Sequence, residues 1–319
     1  MSLRARLNRI RDRVQVDVGG RGLARVPDRN LFTACPEDFA DACLSLAHHD
    51  APRLGIVTGF WIASAGRGET DGPLGAVYLA RTLTQMGIEV SLFAEPFCLS
   101  ALRVGLRWVG LEAKVLVQAL PAEPTCFTHL LALERAGPSH TLETLLAQKE
   151  TTPEVVQQFE REASPERRGR CQSMRGLDIS SHMVDVSGLF TGRKAVTLGI
   201  GDGGNEIGMG KIPWSVIRDN IPLGGQIACG TPVDHLVVAG ISNWGAYALA
   251  AGVALCRGFA PPDSWFDGER ERRLLAEMVT RGDLVDGVSG QAVEQVDGIA
   301  FERYWEPMRA IADQMRGES

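Results

Sequence analysis

AVTLGIGDGGNEIGMG, residues 195–210, is the stretch on which the reading of the fold turns. It opens on an apolar run, Ala195 to Ile200. It then breaks into a turn in which six of the twelve residues from Gly199 to Gly210 are glycine. A near-continuous apolar strand fits a parallel sheet covered on both faces, where ligands gather at the carboxyl ends of the strands. Glycine permits positive φ and close approach of backbone to a ligand. Consecutive N–H groups in such a turn can form an anion-binding concavity. Asp202, Asn205 and Glu206 lie inside this one. Two carboxylates and an amide suit a hard cation, an ammonium group or a proton transfer.

The same grammar repeats along the chain. LGIVTG at 54–59 predicts a strand, and Ala76, Leu79, Ala80, Leu83 and Met86 then fall at helical spacing over 72–86, ended by Gly87. Ile88 to Ala94 predicts the next strand. A helix marked by Leu99, Leu102, Leu106 and Val109 follows and is closed by Gly110. Ala113 to Leu120, His129 to Leu133 and His235 to Ala239 complete the strands, and Glu269 to Arg281 and Phe301 to Arg316 read as helices. The expected architecture is α/β: a mostly parallel sheet with helices on both faces, a Rossmann-like three-layer fold. One domain over 1–319 is expected, with a polar helical excursion around 148–170.

Other strand ends carry chemistry of their own. Glu69-Thr-Asp71-Gly-Pro73 opens the helix after LGIVTG, with Asp71 placed as an N-cap and Glu69 beside it. Glu134-Arg135 follows the strand at 129–133 and could position a zwitterion, or form a surface ion pair. Ser242-Asn243-Trp244-Gly245 reads as a turn between a buried strand and a buried helix, with small polar groups that could bind a carboxylate or phosphate. Met174-Arg175-Gly176-Leu-Asp178 and the acidic turns at Asp286 and Asp297 read more readily as structural.

Several classes recede. Gly199-x-Gly201-x-x-Gly204 satisfies the dinucleotide fingerprint, with Asp219 near the acidic position, but Gly208, Gly210 and Pro213 would cripple the helix it requires. A phosphate loop of Walker type fails at Asn205 and Ile212. With 33 Lys+Arg against 39 Asp+Glu, net charge −6, the chain has no global electrostatic reason to bind nucleic acid or an anionic membrane. Leu236 to Cys256 is charge-free and long enough to span a bilayer, yet its polar middle favours a soluble strand-turn-helix. Seven scattered cysteines and six histidines show no zinc spacing. Free thiols in a reducing cytoplasm are expected.

Taken together these turns resemble the D-glutamate cyclase-like family, in its C-terminal domain. The matching segments are VTGFWI at 57–62, ETDGP at 69–73, ERAG at 134–137, MRGLDIS at 174–180, GIGDGGNEIGMGKI at 199–212, AGISNWGAYALA at 239–250 and the DGVSG and VDG turns near 286–298. They run in order over about nine-tenths of the chain. Family members linked to the activity can carry an additional N-terminal hydro-lyase-like domain, which is not expected from this sequence.

The resemblance implies closure of D-glutamate to 5-oxo-D-proline with loss of water. The α-amine must be deprotonated, and the γ-carboxylate must be neutralised by an acid or a cation. On this reading Asp202 or Glu206 is base and amine anchor, and Asp71 or Glu134 is the acid or a cation ligand. Glu69 is a further carboxyl at the same rim. Asn205, Ser242, Asn243 and the amides of Gly201, Gly203 and Gly204 would hold the substrate carboxylates, with Arg135 or Arg175 as counter-charge. A divalent cation such as Mg2+ or Mn2+ would suit the acids. The implied partners are an amino-acid substrate and either further copies of this chain or a separate hydro-lyase-like protein. The other function classes are a nucleotide- or phosphate-binding protein that uses loop 199–210, and a non-catalytic subunit of a hydro-lyase.

Overall fold

The computed structural model describes residues 1–122, 126–192 and 194–317. Six strands form one parallel sheet: β1 (Arg53–Thr58), β2 (Glu89–Ala94), β3 (Leu116–Ala119), β4 (His129–Leu133), β5 (Val196–Gly201) and β6 (His235–Val238). Their spatial order is β3-β2-β1-β4-β5-β6. That is the Rossmann order, and it reverses direction between β1 and β4. Register there pairs Val57 with Ala132 and Thr58 with Leu133, so the two strands end level. A crevice at their carboxyl ends follows from the topology alone.

Alternation along the strands explains the layers. Ile56, Leu131 and Leu133 point into one hydrophobic cluster, while Val57, Leu130 and Ala132 point into another. The first cluster is roofed by long helices: α1 (Leu3–Val14), α2 (Asp38–His48), α3 (Pro73–Gln85), α4 (Pro96–Trp108), α5 (Ser242–Cys256), α6 (Gly268–Thr280) and α7 (Glu306–Arg316). The second is covered by short pieces, among them Leu142–Leu146, Pro153–Glu162 and Trp214–Asn220. The polar excursion around 148–170 is part of that cover. Its helix Pro153–Glu162 buries Phe159 edge-on against Trp214, with ring centroids 5.5 Å apart.

Three sequence expectations need correction. The third strand starts at Leu116, because Ala113 to Val115 form the turn that leaves α4. The final helix breaks in two, Phe301–Tyr304 and α7, where Pro307 follows Glu306. Ser242 to Gly245 are the first turn of α5 and not a loop. The charge-free stretch 236–256 is therefore a short strand and a fifteen-residue helix. Among the described residues no helix is long and apolar enough to cross a membrane. All seven cysteines are free, and Cys43, Cys98, Cys171 and Cys229 are buried.

Candidate active site

The strand ends converge as the topology requires. Glu134 directly follows β4, Asp202 follows β5, and Ser242 opens the helix after β6. Backbone bonds carry the ladder past the strands, from Glu134 N to Ile200 O (3.1 Å) and from Ala239 N to Gly201 O (3.1 Å). Glu134 adopts φ 42, an uncommon value for a residue with a side chain, exactly where the chain leaves the sheet beside the acids. Its carboxylate accepts a 2.5 Å hydrogen bond from Ser242 Oγ.

α3 and α5 cap one another. Asp71 was expected to cap its own helix, but the N-cap there is Gly72, with no side-chain bond. The Asp71 carboxylate instead accepts from the amides of Ser242 (2.9 Å) and Asn243 (2.8 Å) at the start of α5. In return Asn243 Oδ1 accepts from Gly72 N (2.9 Å) and Gly75 N (2.7 Å) at the start of α3. Each helix thus has its first N–H groups satisfied by a residue about 170 positions away. Asn243→Ala orphans the buried Gly75 amide, at about 1–3 kcal/mol, while Gly72 N keeps Asp71 Oδ1 at 3.1 Å. Thermal denaturation should show the corresponding loss, and an unchanged midpoint would contradict the reciprocal cap.

Two further segments close the site. Residues 61–68 form a short hairpin, Trp61–Ile62 against Arg67–Gly68. Thr70 is then tied to the 285–297 segment through Thr70 N to Val285 O (2.9 Å) and Thr70 Oγ1 to Gln295 O (2.9 Å). This brings Asp297 beside Asp71 and Asp202. From the other end of the sequence, Asp17 folds the loop after α1 by accepting the amides of Arg21, Gly22 and Leu23 (2.8, 2.8 and 3.1 Å). Gly22 has φ +95, and a Cβ there would meet Asn220 O at 2.2 Å, so glycine is required for this path. The loop delivers Arg21 into the acids. Its guanidinium pairs with Asp202 Oδ1 through Nη1 and with Asp297 Oδ1 at 2.8 Å through Nη2.

The result is a cavity of about 160 Å³. Glu69, Glu134, Asp202, Asn205, Asp297 and Arg21 line its polar wall, and Phe60, Trp61, Ile62 and Met174 part of its apolar wall. Trp61 is stacked on His182 at 4.4 Å and lies edge-on to Phe97. Arg175 stands at the cavity and donates to Val288 O (3.0 Å).

Of the residues expected at the site, Glu69, Glu134, Asp202, Asn205 and Arg175 line this cavity. Asp71 and Glu206 lie immediately behind it, each within a carboxylate cluster that includes Asp202. Ser242 and Asn243 are occupied with Glu134 and with α3. In loop 201–204 the amides of Asp202 (3.2 Å) and Gly204 (2.8 Å) are taken by Glu206, while Gly201 ends β5 and Gly203 lies against Asn205. Arg135 is fully buried and pairs through both terminal nitrogens with Glu95, itself buried, so it is no surface ion pair. Arg21 and Asp297 were not assigned from sequence. The glycine-flanked arginine of Val-Gly-Gly-Arg21-Gly and the VDG turn were the available signals.

Six buried carboxyls, Glu69, Asp71, Glu134, Asp202, Glu206 and Asp297, thus surround one arginine. Burial opposes the charge on Arg21, but Asp202, Asp297 and Glu134 outweigh it and hold the guanidinium protonated. Burial raises every carboxyl of the group, well above the usual range for Glu69, Asp71 and Glu134. Asp297 rises to about 7, driven by burial and by Asp202 and Asp286 against the pull of Arg21. The site therefore holds protons at neutral pH and can both give and take them.

A profile of the family described as D-glutamate cyclase-like, C-terminal, matches residues 10–312. The chain belongs to that family. It is 29% identical over 333 aligned positions to human "D-glutamate cyclase, mitochondrial", covering 94% of this chain and 50% of that protein. The chain thus spans about half the length of this curated relative. Membership of the D-glutamate cyclase-like family supports a cyclase or lyase assignment at the level of the family, and the pocket residues fall within the matched range.

In this D-glutamate cyclase-like fold the crowding of carboxyls has a measurable signature. An acid whose pKa is raised on folding contributes stability that is complete below its unfolded value, about 4, and lost as pH rises through its folded value. Asp297 loses its share around 7, and Glu69, Asp71 and Glu134 slope the same way. His129 and His140, pushed down to about 4 by burial, are essentially neutral in both states only above about pH 7.5 and add little slope there. Above about pH 7.5 the melting temperature should fall with rising pH as Glu69, Asp71 and Glu134 ionise. A rise over that range would contradict the buried protonated cluster.

Proposed function

We propose that this protein is a hydro-lyase that closes D-glutamate to 5-oxo-D-proline with loss of water. The observation that carries the reading is the cavity itself. Within a family of cyclases it joins proton-holding carboxyls, one arginine they share, and a volume suited to a small amino acid. The reaction moves no electrons to an external acceptor. A bond forms between the α-nitrogen and the γ-carbon, and one γ-carbon–oxygen bond breaks. The ammonium gives up two protons, and both leave with that oxygen as water.

Each requirement has a candidate. Asp297 Oδ2 is buried without a hydrogen-bond partner and lines the cavity, which suits it to receive the ammonium and one of its protons. Asp202 holds Arg21 in place and shares that task. Glu69, kept protonated by burial and by Asp297 and Asp202, is suited to protonate the departing oxygen. Arg175 at the cavity would take the α-carboxylate. The apolar wall of Phe60, Trp61 and Ile62 would press the carbon chain into the folded-back conformer that closure needs, and this positioning lowers the entropic part of the barrier.

The phosphate-binding reading loses support because Glu206 fills the loop amides that an anion would need. No helix longer than the seven residues Trp214–Asn220 follows the loop before β6. A reducing compartment, the cytoplasm in the simplest case, fits seven free cysteines.

Chiral chromatography of purified protein with D- or L-glutamate tests the proposal. Formation of 5-oxo-D-proline from the D-isomer above a buffer blank is expected. Inactivity that is relieved only by a hydro-lyase-like protein would make this chain a partner-dependent subunit.

A further inference from the structure

The cavity poses an electrostatic problem that Arg21, held by Asp202 and Asp297, and Arg175 at its edge do not fully solve. D-glutamate brings two carboxylates to a wall that is already rich in them. The carboxyls form two groups close enough to share an ion, Asp71/Asp202/Asp297 and Glu134/Asp202/Glu206, each with its ligand oxygens within 4.8 Å of one another. The first already has a cation, since Arg21 pairs with Asp202 and Asp297. Asp71 in that group is also spent on the backbone of α5. In the second, only Asp202 touches an arginine. Glu134 receives just a hydroxyl and Glu206 just two amides.

An independent feature marks the same group. Asn205 is 1% exposed and lines the cavity, and its Oδ1 has no hydrogen-bond partner. Its Nδ2 donates to Gln172 O at 2.8 Å, which fixes the amide with Oδ1 on the other side. A Cβ added at Gly203 would meet both Asn205 Oδ1 and Glu206 Oε1 at 2.8 Å, with the Met174 sulfur at 2.6 Å. The orphaned amide oxygen and the Glu206 carboxylate therefore flank one small space, kept open by glycine. Buried acceptors without donors are costly unless something positive sits among them.

We propose that Glu134, Asp202, Glu206 and Asn205 Oδ1 form a binding site for one hard divalent cation of the magnesium or manganese class at the floor of the cavity. The donor set is all oxygen, as such ions prefer, and Glu134, Asp202 and Asn205 face the cavity, so positions remain for water or a carboxylate of the substrate. The ion would neutralise the γ-carboxylate while Arg21 stays with Asp202 and Asp297. This role rests on the cyclase reading, but the site does not.

Titration of the full chain with MnCl2, followed by loss of the electron paramagnetic resonance signal of free Mn2+, tests it without substrate. One saturable ion per chain is expected. Glu206→Gln should weaken it by about 10–100-fold. Asn205→Asp, which adds a carboxylate, should tighten it, an outcome that misfolding cannot imitate. No saturable binding by the wild type, or binding indifferent to both substitutions, overturns the site. Mn2+ bound as expected with no 5-oxo-D-proline formed would leave the site standing and sink the cyclase reading. Full turnover of D-glutamate together with no saturable Mn2+ binding would do the reverse.

Discussion

Asp202→Asn should cut turnover of D-glutamate by about 10²–10⁴-fold, the usual range for losing a proton-transferring group. Asp202 pairs with Arg21, accepts the Ser242 amide at 3.2 Å, belongs to both carboxylate clusters and lines the cavity. Asparagine keeps the volume and an acceptor oxygen but can neither ionise nor exchange a proton with Asp71. The fold should survive, because Arg21 keeps Asp297 at 2.8 Å and one crowded carboxyl is gone. Kinetics paired with a thermal melt separate the two effects. Full turnover in a folded variant would remove Asp202 from the chemistry.

The second large effect concerns stability. Arg135→Met removes a fully buried guanidinium that binds Glu95 through two nitrogens and donates to Val184 O at 2.6 Å. Glu95 is left buried with the Val184 amide at 2.8 Å. Breaking one side of such a pair costs about 3–5 kcal/mol. At about 2–4 °C per kcal/mol, the midpoint should drop by roughly 10 °C. Replacing Glu95 as well, in Arg135→Met/Glu95→Leu, should recover much of that loss, since the cost lies in the stranded charge. An unchanged midpoint with a large rise in KM would return Arg135 to the substrate, the role its neighbour Glu134 suggested in the sequence.

Arg135 shows where sequence reasoning stops. Position 135 at a strand end is visible from the apolar run 129–133, but its partner lies 40 residues away on another segment. The same limit hides Arg21, which is 181 residues from Asp202. It hides the true start of α5 too. Ser242 to Gly245 look like a turn because no nearby residue caps them, and the cap is Asp71, supplied from the segment just before α3. What was legible depends on local chemistry. Buried parallel strands are near-continuous apolar runs, so β1, β2, β4, β5 and β6 could be found, while the start of the mostly exposed edge strand β3 is misplaced. A ligand crevice at the carboxyl ends follows from that architecture. The glycine-rich loop carrying Asp202, Asn205 and Glu206 could be found for the same reason, because close backbone approach requires glycine. Asp297 sits in a turn marked out by long-range ties, from Thr70 to Gln295 and from Arg21 to Asp297 itself.

The most direct measurement uses D-glutamate with oxygen-18 in both γ-carboxyl oxygens. The purified protein should produce 5-oxo-D-proline carrying one labelled oxygen, with the other recovered in water, in step with loss of D-glutamate. No 5-oxo-D-proline above the buffer blank, or product without label, would contradict dehydrative ring closure in this cavity.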